Sequence, residues 1–368
     1  MSRILHLTTV HPIDDVRIFQ KEVRSLRRAG LEVVVAGIGV ASLPEDLEPA
    51  IIFDRITSRR RRFWASIKRA IETCRTLRPD ILHFHDPEIL FAVPFLRRYC
   101  GVVIYDSHEC VSEAVHHKHY LPIYLRPLIG GVVGWIEKLL IRFVDAVIVP
   151  TPHIEAYFGG MRKPVVRVAN YPQSTTLPEF ASLNDRRERA VYTGALAAVR
   201  GLPQMVEASK LTNIALDLAG SIDTEGEDFL SKNLTPHISV HGYLSHAQAL
   251  ALQSHAMVGM SLLMPKKQYL NAIPTKVFEF LAAGLIVVCS DFPFLRRLFS
   301  PFQTVRFVDP ENVSEVANAM RGAIADFHRL EPALIEGREI ILREFTWDSE
   351  MKRLLELYEF FLQPSEVK

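Results

Sequence analysis

Two short stretches carry residue types that could hold a phosphorylated ligand. The first is Asn271-Ala272-Ile273-Pro274-Thr275-Lys276-Val277-Phe278-Glu279, which leads from a loop into a helix that Gly284 stops. Pro274 suits a first helical turn, where its missing N–H costs little. A helix start offers N–H groups and a positive dipole end to a phosphate or sugar oxygen, and Lys276 adds a full charge. Glu279, three residues on and on the same face, can accept hydrogen bonds from a vicinal diol such as a ribose. Read alone, the two could equally be a solvated Lys/Glu couple on an ordinary helix. The second stretch, Tyr192-Thr193-Gly194-Ala195-Leu196-Ala197-Ala198-Val199-Arg200-Gly201, leaves a strand, turns through Gly194 and presents Arg200 just before another helix. A guanidinium there can grip a diphosphate bidentately, and Gly201 lets backbone N–H groups approach it. Alone, Arg200 would read as a surface arginine. Two cations at helix starts in one half of the chain match what a departing nucleoside diphosphate needs.

Other signatures are missing. No Gly-x-Gly-x-x-Gly follows a strand, since Gly37-Ile38-Gly39 has no third glycine, and neither a P-loop nor a Gly-x-Ser-x-Gly elbow occurs. The four cysteines, Cys74, Cys100, Cys110 and Cys289, form no Cys-x-x-Cys pair and have no histidine at a partnering distance. Neither a zinc site nor a disulfide framework is expected, and a reducing cytosol is the natural compartment. Asp14 and Asp15 are adjacent rather than spaced to share a metal, and suit the positive end of a helix.

The elements that position these residues alternate between strand and helix. Ile4 to Leu7 is an apolar run; Asp14 to Ala29 has Phe19, Val23 and Leu26 at helical spacing before Gly30; Leu31 to Ala36 is a second strand. That is the opening of a parallel α/β sheet. The pattern predicts helices near 63–77, 89–99 and 123–143, and strands 81–84, 102–105, 146–149 and 165–168. Asn170-Tyr171-Pro172 and the aperiodic stretch to Arg189 read as a hinge or linker. The alternation then restarts, with strands at 190–192, 214–219, 238–241, 256–262, 285–288 and 304–307. Helices are expected at 202–211, 247–253, 275–283 and from 312 to the end. Sheets of this kind bind ligands beyond the carboxyl ends of their strands, so a cleft between the two halves is the expected site.

Composition agrees with this. At roughly 150 residues per domain, 368 residues suggest two domains, and 48% apolar residues can give each a core. Lys plus Arg number 43 against 42 Asp plus Glu, a formal charge of +1, which argues against a dedicated nucleic-acid binder. The N-terminus reads as a strand rather than a signal peptide. Leu128 to Val149 and Phe278 to Cys289 are too interrupted by charge to span a membrane.

The sequence resembles the retaining glycosyltransferases of family 4. The likeness lies in His11-Pro12-x-Asp14-Asp15-x-Arg17-Ile18-Phe19-x-Lys21-Glu22, His83-Phe84-His85-Asp86-Pro87-Glu88 and Tyr105-Asp106-Ser107-His108-Glu109. It continues in the Arg200-Gly201 turn and in Pro274-Thr275-Lys276-Val277-Phe278-Glu279, the most specific of these. The resemblance implies the GT-B α/β fold, two Rossmann-like doubly wound parallel-sheet domains facing across a cleft. It implies an acceptor-binding domain at 1–170, rejoined by a final helix at 348–368, and a nucleotide-sugar-binding domain at 171–347. The reaction it implies is transfer of a sugar from a nucleotide donor, expected to be UDP-linked, to a saccharide or polyprenyl-linked acceptor, without a metal or other cofactor. Arg200 takes the place of the family's diphosphate-binding cation, and Glu279 that of the second glutamate of its Glu-x7-Glu motif. Asn271 replaces the first glutamate, and Gly194-Ala195 stands where many relatives have Gly-Arg, so that Lys276 would supply the charge. His108 takes the place of the histidine that hydrogen-bonds the transferred sugar. His85 is a second candidate, and Asp86, Glu88 and Glu109 could orient the imidazoles or bind acceptor; His11, Asp15 and Arg17, in the position of a glycine-rich loop, are acceptor or cleft candidates together with His85 and Glu109.

The run Ser58-Arg59-Arg60-Arg61-Arg62-Phe63-Trp64 with Lys68-Arg69 is either a solvated helix face or a contact for an anionic bilayer. His116, His117, Lys118, Tyr120 and the helix around Trp135 lie in the same half and favour a lipid-linked acceptor and a peripheral place on the cytoplasmic side of a membrane. Two other readings remain open: a nucleotide-sugar 2-epimerase of the same fold, and a sugar-nucleotide-binding subunit without turnover.

Overall fold

The computed structural model describes residues 2–115 and 122–363. The chain divides into two compact units, one formed by 1–170 with 350–368 and the other by 171–349. His116, His117, Lys118 and Tyr120 lie outside the described residues.

The first unit is built on seven parallel strands: β1 (Arg3–Pro12), β2 (Glu32–Ile38), β3 (Ala50–Phe53), β4 (Ile81–Phe84), β5 (Val102–Asp106), β6 (Ala146–Val149) and β7 (Val165–Arg167). Their order is β3-β2-β1-β4-β5-β6-β7. Successive side chains on a strand point to opposite faces, and the two faces differ sharply here. Leu5, Leu7, Leu82, Phe84, Val103, Tyr105, Val147 and Val149 form an apolar core with Ala70 and Cys74 of the helix Arg59–Leu77. The alternate positions carry His6, His83 and Asp106, all buried. Parallel sheets covered on both faces normally read as unbroken apolar runs, so these polar residues are the anomaly of the first sheet.

The second unit has six parallel strands: β8 (Arg187–Thr193), β9 (Ala215–Ala219), β10 (Ile238–Val240), β11 (Ala256–Ser261), β12 (Ile286–Ser290) and β13 (Val305–Val308). Their order, β10-β9-β8-β11-β12-β13, is the doubly wound pattern, and the direction of winding reverses between β8 and β11. In the first unit the reversal falls between β1 and β4.

Three local features depart from the sequence pattern. The helix expected from Asp14 is a π-helix over Val16–Val23 followed by a short α-helix, Arg24–Arg28; Asp15 caps it by accepting from the N–H groups of Arg17 and Ile18. The 89–99 helix is a 3-10 turn, Pro87–Ala92, running into one α-turn, Val93–Leu96. Edge strand β3 and the helices Pro152–Tyr157 and Thr224–Asn233 carry too little periodicity to be expected at all. Among the described residues no helix is long and apolar enough to cross a membrane.

Candidate active site

In the second unit the candidate residues gather where the winding reverses. The helix Thr275–Ala282 buries Val277, Phe278, Phe280, Leu281 and Ala282, which leaves Lys276 and Glu279 on its half-buried side. Pro274 is its N-cap, Thr275 is exposed at its start, and no side chain caps it. Asn271 ends the preceding turn, Lys267–Leu270, and is half-buried.

Lys276 reaches back to the end of β8, its Nζ 3.7 Å from the centroid of the Tyr192 ring. Tyr192 is fixed by donating its hydroxyl to the carbonyl of Ala195 at 2.8 Å. Gly194 holds φ +139, which favours glycine, and a Cβ there would stand 2.7 Å from Lys276 Nζ and push the end of that flexible side chain from its place. Arg200 ends a 3-10 turn, Ala198–Arg200, and lies 4.9 Å over the Tyr269 ring. Gly201 follows at φ +76 as the N-cap of the helix Leu202–Thr212; a Cβ there would meet Leu262 at 2.5 Å.

Both cations rest on aromatic faces, and among the described residues neither is paired with a carboxylate within 4 Å. Burial and then Arg200 push the Lys276 ammonium down, against the opposing effect of Glu279, to about 7. Two cations that disfavour one another are arranged for an anion.

In the first unit the candidates separate into an accessible rim and a buried network. His108, a quarter exposed, follows β5 and lies with its Nε2 3.3 Å from His85 Nδ1 and 3.5 Å from Asp106 Oδ2. His11 is also on the rim, its ring 5.5 Å from that of His108; Nδ1 is 3.8 Å from Asp15 Oδ2 and Nε2 3.8 Å from Asp86 Oδ1.

Three expectations need correction. Arg17 is not an acceptor contact. It is buried, holds Asp106 bidentately at 3.0–3.2 Å, and donates to the carbonyl of Val168 at 3.1 Å. His85 is buried and off the accessible rim, with its Nδ1 3.3 Å from His108 Nε2, so it is not itself a contact for the transferred sugar or the acceptor. The imidazoles are not oriented by Glu88, which pairs with Arg62, or by Glu109, which is exposed. Asp86 is held by Thr8 and Thr9 and faces only His11. Asp106, which sequence reasoning passed over, faces His83, His85 and His108 together. Burial alone would raise its carboxyl, but Arg17 and then His108 hold it well below the usual carboxylate range. The signal was present as an acid at the end of a strand, two residues before a histidine.

Residues 17–170 match the family model described as Glycosyltransferase Family 4, and residues 200–356 the one described as Glycosyl transferase-like. No curated protein matches by sequence. Solved structures do match across the chain. A sucrose-phosphate synthase from Thermosynechococcus elongatus is 18% identical, with 98% of this chain and 99% of that one covered and a TM-score of 0.75. HepE of Anabaena in complex with UDP-glucose is 13% identical, with 98% and 100% covered and a TM-score of 0.74. A glycosyltransferase from Rickettsia africae is 14% identical, with 99% of each chain covered and a TM-score of 0.71. With glycosyltransferase matches in both halves and this shared architecture, the chain is a glycosyltransferase of the GT-B fold.

Proposed function

We propose that the chain is a retaining glycosyltransferase that moves a sugar from a UDP-sugar to a saccharide or polyprenyl-linked acceptor. The observation that carries this reading is the pair Arg200 and Lys276, two cations without carboxylate partners among the described residues, at the point where the second sheet reverses its winding. HepE, whose structure holds UDP-glucose, makes UDP the first nucleotide to test. Arg200 and Lys276 take the two phosphates, Glu279 the ribose diol, and Asn271 with the backbone at Pro274 and Thr275 the donor sugar. Gly194 leaves the room in which Lys276 meets the phosphate. In the first unit His108 and His11 take hydroxyls of the reacting sugars, with Asp15 behind His11.

As the anomeric carbon–oxygen bond breaks, its electron pair goes to the β-phosphate, whose growing charge the two cations stabilise. The acceptor oxygen bonds to the anomeric carbon on the face the phosphate leaves, and its proton passes to a phosphate oxygen. The cations take the part a divalent ion would play, so this step needs none. Each charge-assisted contact contributes about 1.5–3 kcal/mol, so Arg200→Ala or Lys276→Ala should fold normally and slow transfer roughly ten- to a hundredfold or more. The test is a panel of UDP-, GDP- and ADP-sugars read by thermal shift, then by release of free nucleotide with and without acceptor. Near-normal rates in both variants would refute the site. Epimer formed from a donor without acceptor would favour the isomerase reading.

The lipid-linked acceptor has separate support. On the helix Arg126–Leu140, the residues Leu128, Val132, Trp135 and Leu139 are exposed on one face, preceded by exposed Ile123 and Tyr124. Trp64 is 69% exposed beside Phe63, whose ring lies 5.2 Å from Phe91, and the basic run Arg59–Arg62 adjoins them. Aromatic and aliphatic side chains bordered by arginines suit an anionic bilayer surface. Salt-sensitive flotation with anionic liposomes tests this, and no binding at low salt would retire it.

A further inference from the structure

The transfer step leaves a second constellation in the first unit unused. In the parallel pairing of β1 and β4, His6 lies opposite His83, and His85, two residues on, shares that face. Glu22 enters from the π-helix Val16–Val23, a rare local geometry that recurs at functional positions. The side chains of all four are fully buried. His6 Nδ1 is 3.3 Å from His85 Nε2, and Glu22 Oε2 is 3.6 Å from the first and 3.8 Å from the second. With a nitrogen of His83, the four donors lie within 4.8 Å of one another. In a tetrahedral site with bonds of about 2.0–2.1 Å, ligand atoms stand about 3.3–3.4 Å apart. The three individual separations above approach that edge.

The remaining polar atoms of these side chains are already engaged. Tyr358 Oη lies 3.0 Å from His6 Nε2 and 2.7 Å from His83 Nδ1, and a phenol oxygen can accept from both rings. Asp106 Oδ2 stands 3.6 Å from His85 Nδ1, and Arg17 Nε pairs with Glu22 Oε1 at 3.1 Å. His6 Nδ1, His85 Nε2 and Glu22 Oε2 are thus turned toward one another to supply lone pairs, with His83 Nε2, 3.8 Å from Asp106 Oδ2, as the fourth donor. His83 Nε2 and Glu22 Oε2 have no hydrogen-bond partner despite their burial. Holding the second nitrogen is how proteins fix the tautomer and orientation of a metal-bound histidine. Here one tyrosine does so for two rings.

We infer that His6, Glu22, His83 and His85 bind a divalent transition-metal ion of the zinc class. Three imidazoles and one carboxylate match the donor preference of such ions, and a closed set of four fits a structural ion rather than a catalytic one. The ion would tie β1, β4 and the helix Val16–Val23 together. The inference rests on this geometry alone and does not depend on the donor reading of the second unit.

To test it, the full chain is purified without chelator and its metal content measured. It is then stripped with EDTA and titrated with Zn(II) or Co(II) while melting and visible absorption are followed. About one equivalent of metal is expected, with a melting temperature that rises on titration and Co(II) absorption of a four-coordinate site. Glu22→Gln and His83→Asn, checked for folding by circular dichroism, should lose both the equivalent and the shift. If these variants fail to fold, the wild-type titrations decide. No bound metal and no metal-dependent melting with either ion overturns the inference and leaves a neutral hydrogen-bonded network. Unchanged stoichiometry in folded variants also overturns it, by placing the metal elsewhere, such as at Cys110, Glu113 and His153.

Discussion

Lys276 offers a test that uses pH instead of truncation. Its ammonium is held near a pKa of about 7 by burial, with Arg200 adding to the effect and Glu279 opposing it. If only the charged form grips the diphosphate, apparent affinity falls with the fraction protonated. That fraction is about one half at pH 7 and about one hundredth at pH 9, so the Kd for UDP-glucose should rise roughly 50-fold over that interval. A bound diphosphate favours the ammonium, so binding above pH 7 should take up a proton. Titration calorimetry in buffers of differing ionisation enthalpy measures both quantities. UDP-glucose is the right ligand because its phosphates do not ionise in this range, whereas the terminal phosphate of UDP does. Lys276→Met should bind roughly ten- to a hundredfold more weakly at pH 7 and show no slope. The sign for stability is the reverse of that for binding. The ligand-free fold binds fewer protons than the unfolded chain between pH 7 and the ordinary lysine value, so its stability should rise with pH across that window in wild type and not in Lys276→Met. A wild-type affinity that is flat from pH 6 to 9, or a slope that survives the substitution, would refute the reasoning.

Other outcomes follow from single contacts. Gly194→Ala places a Cβ against Lys276 Nζ and forces φ +139 on an alanine; donor binding should fall at least tenfold by calorimetry. Asp106→Asn removes the bidentate one of the two carboxylates that face the buried Arg17 guanidinium, with Glu22 remaining 3.1 Å from its Nε, and should cost about 3 kcal/mol of stability by urea unfolding. Tyr358→Phe removes the hydroxyl shared by His6 and His83 and should lower stability by about 1–3 kcal/mol, read as a melting temperature reduced by several degrees. Trp135→Glu should abolish liposome flotation while leaving nucleotide release from a donor unchanged.

Much of the fold was legible because parallel strands announce themselves as short apolar runs. β4 at Ile81–Phe84 and β6 at Ala146–Val149 fall where the sequence placed them. The π-helix was not legible: Phe19, Val23 and Leu26 fit α-helical spacing, and nothing in that spacing reports an inserted residue. β3 is a short edge strand, half-exposed and without alternation. In the second unit Lys276, Glu279 and Arg200 could be read because a single helix and a single turn position them. The histidine network could not, since His6, Glu22, His83, Asp106 and Tyr358 meet only through strand register and a helix from the far end of the chain. Sequence spacing therefore gives no sign that register and the helix Val16–Val23 bring these side chains together.

The contact between His6 and Tyr358 joins residues 352 positions apart. A ribosome adding about 5–20 residues per second needs roughly 20 to 70 s to pass from one to the other. The first half of the polypeptide is thus made early and completed last, after the second half has already emerged. A nascent chain stalled anywhere before the final helix would hold its polar strand face open to water, and a chaperone or a protease could distinguish it from a finished molecule by that opening alone.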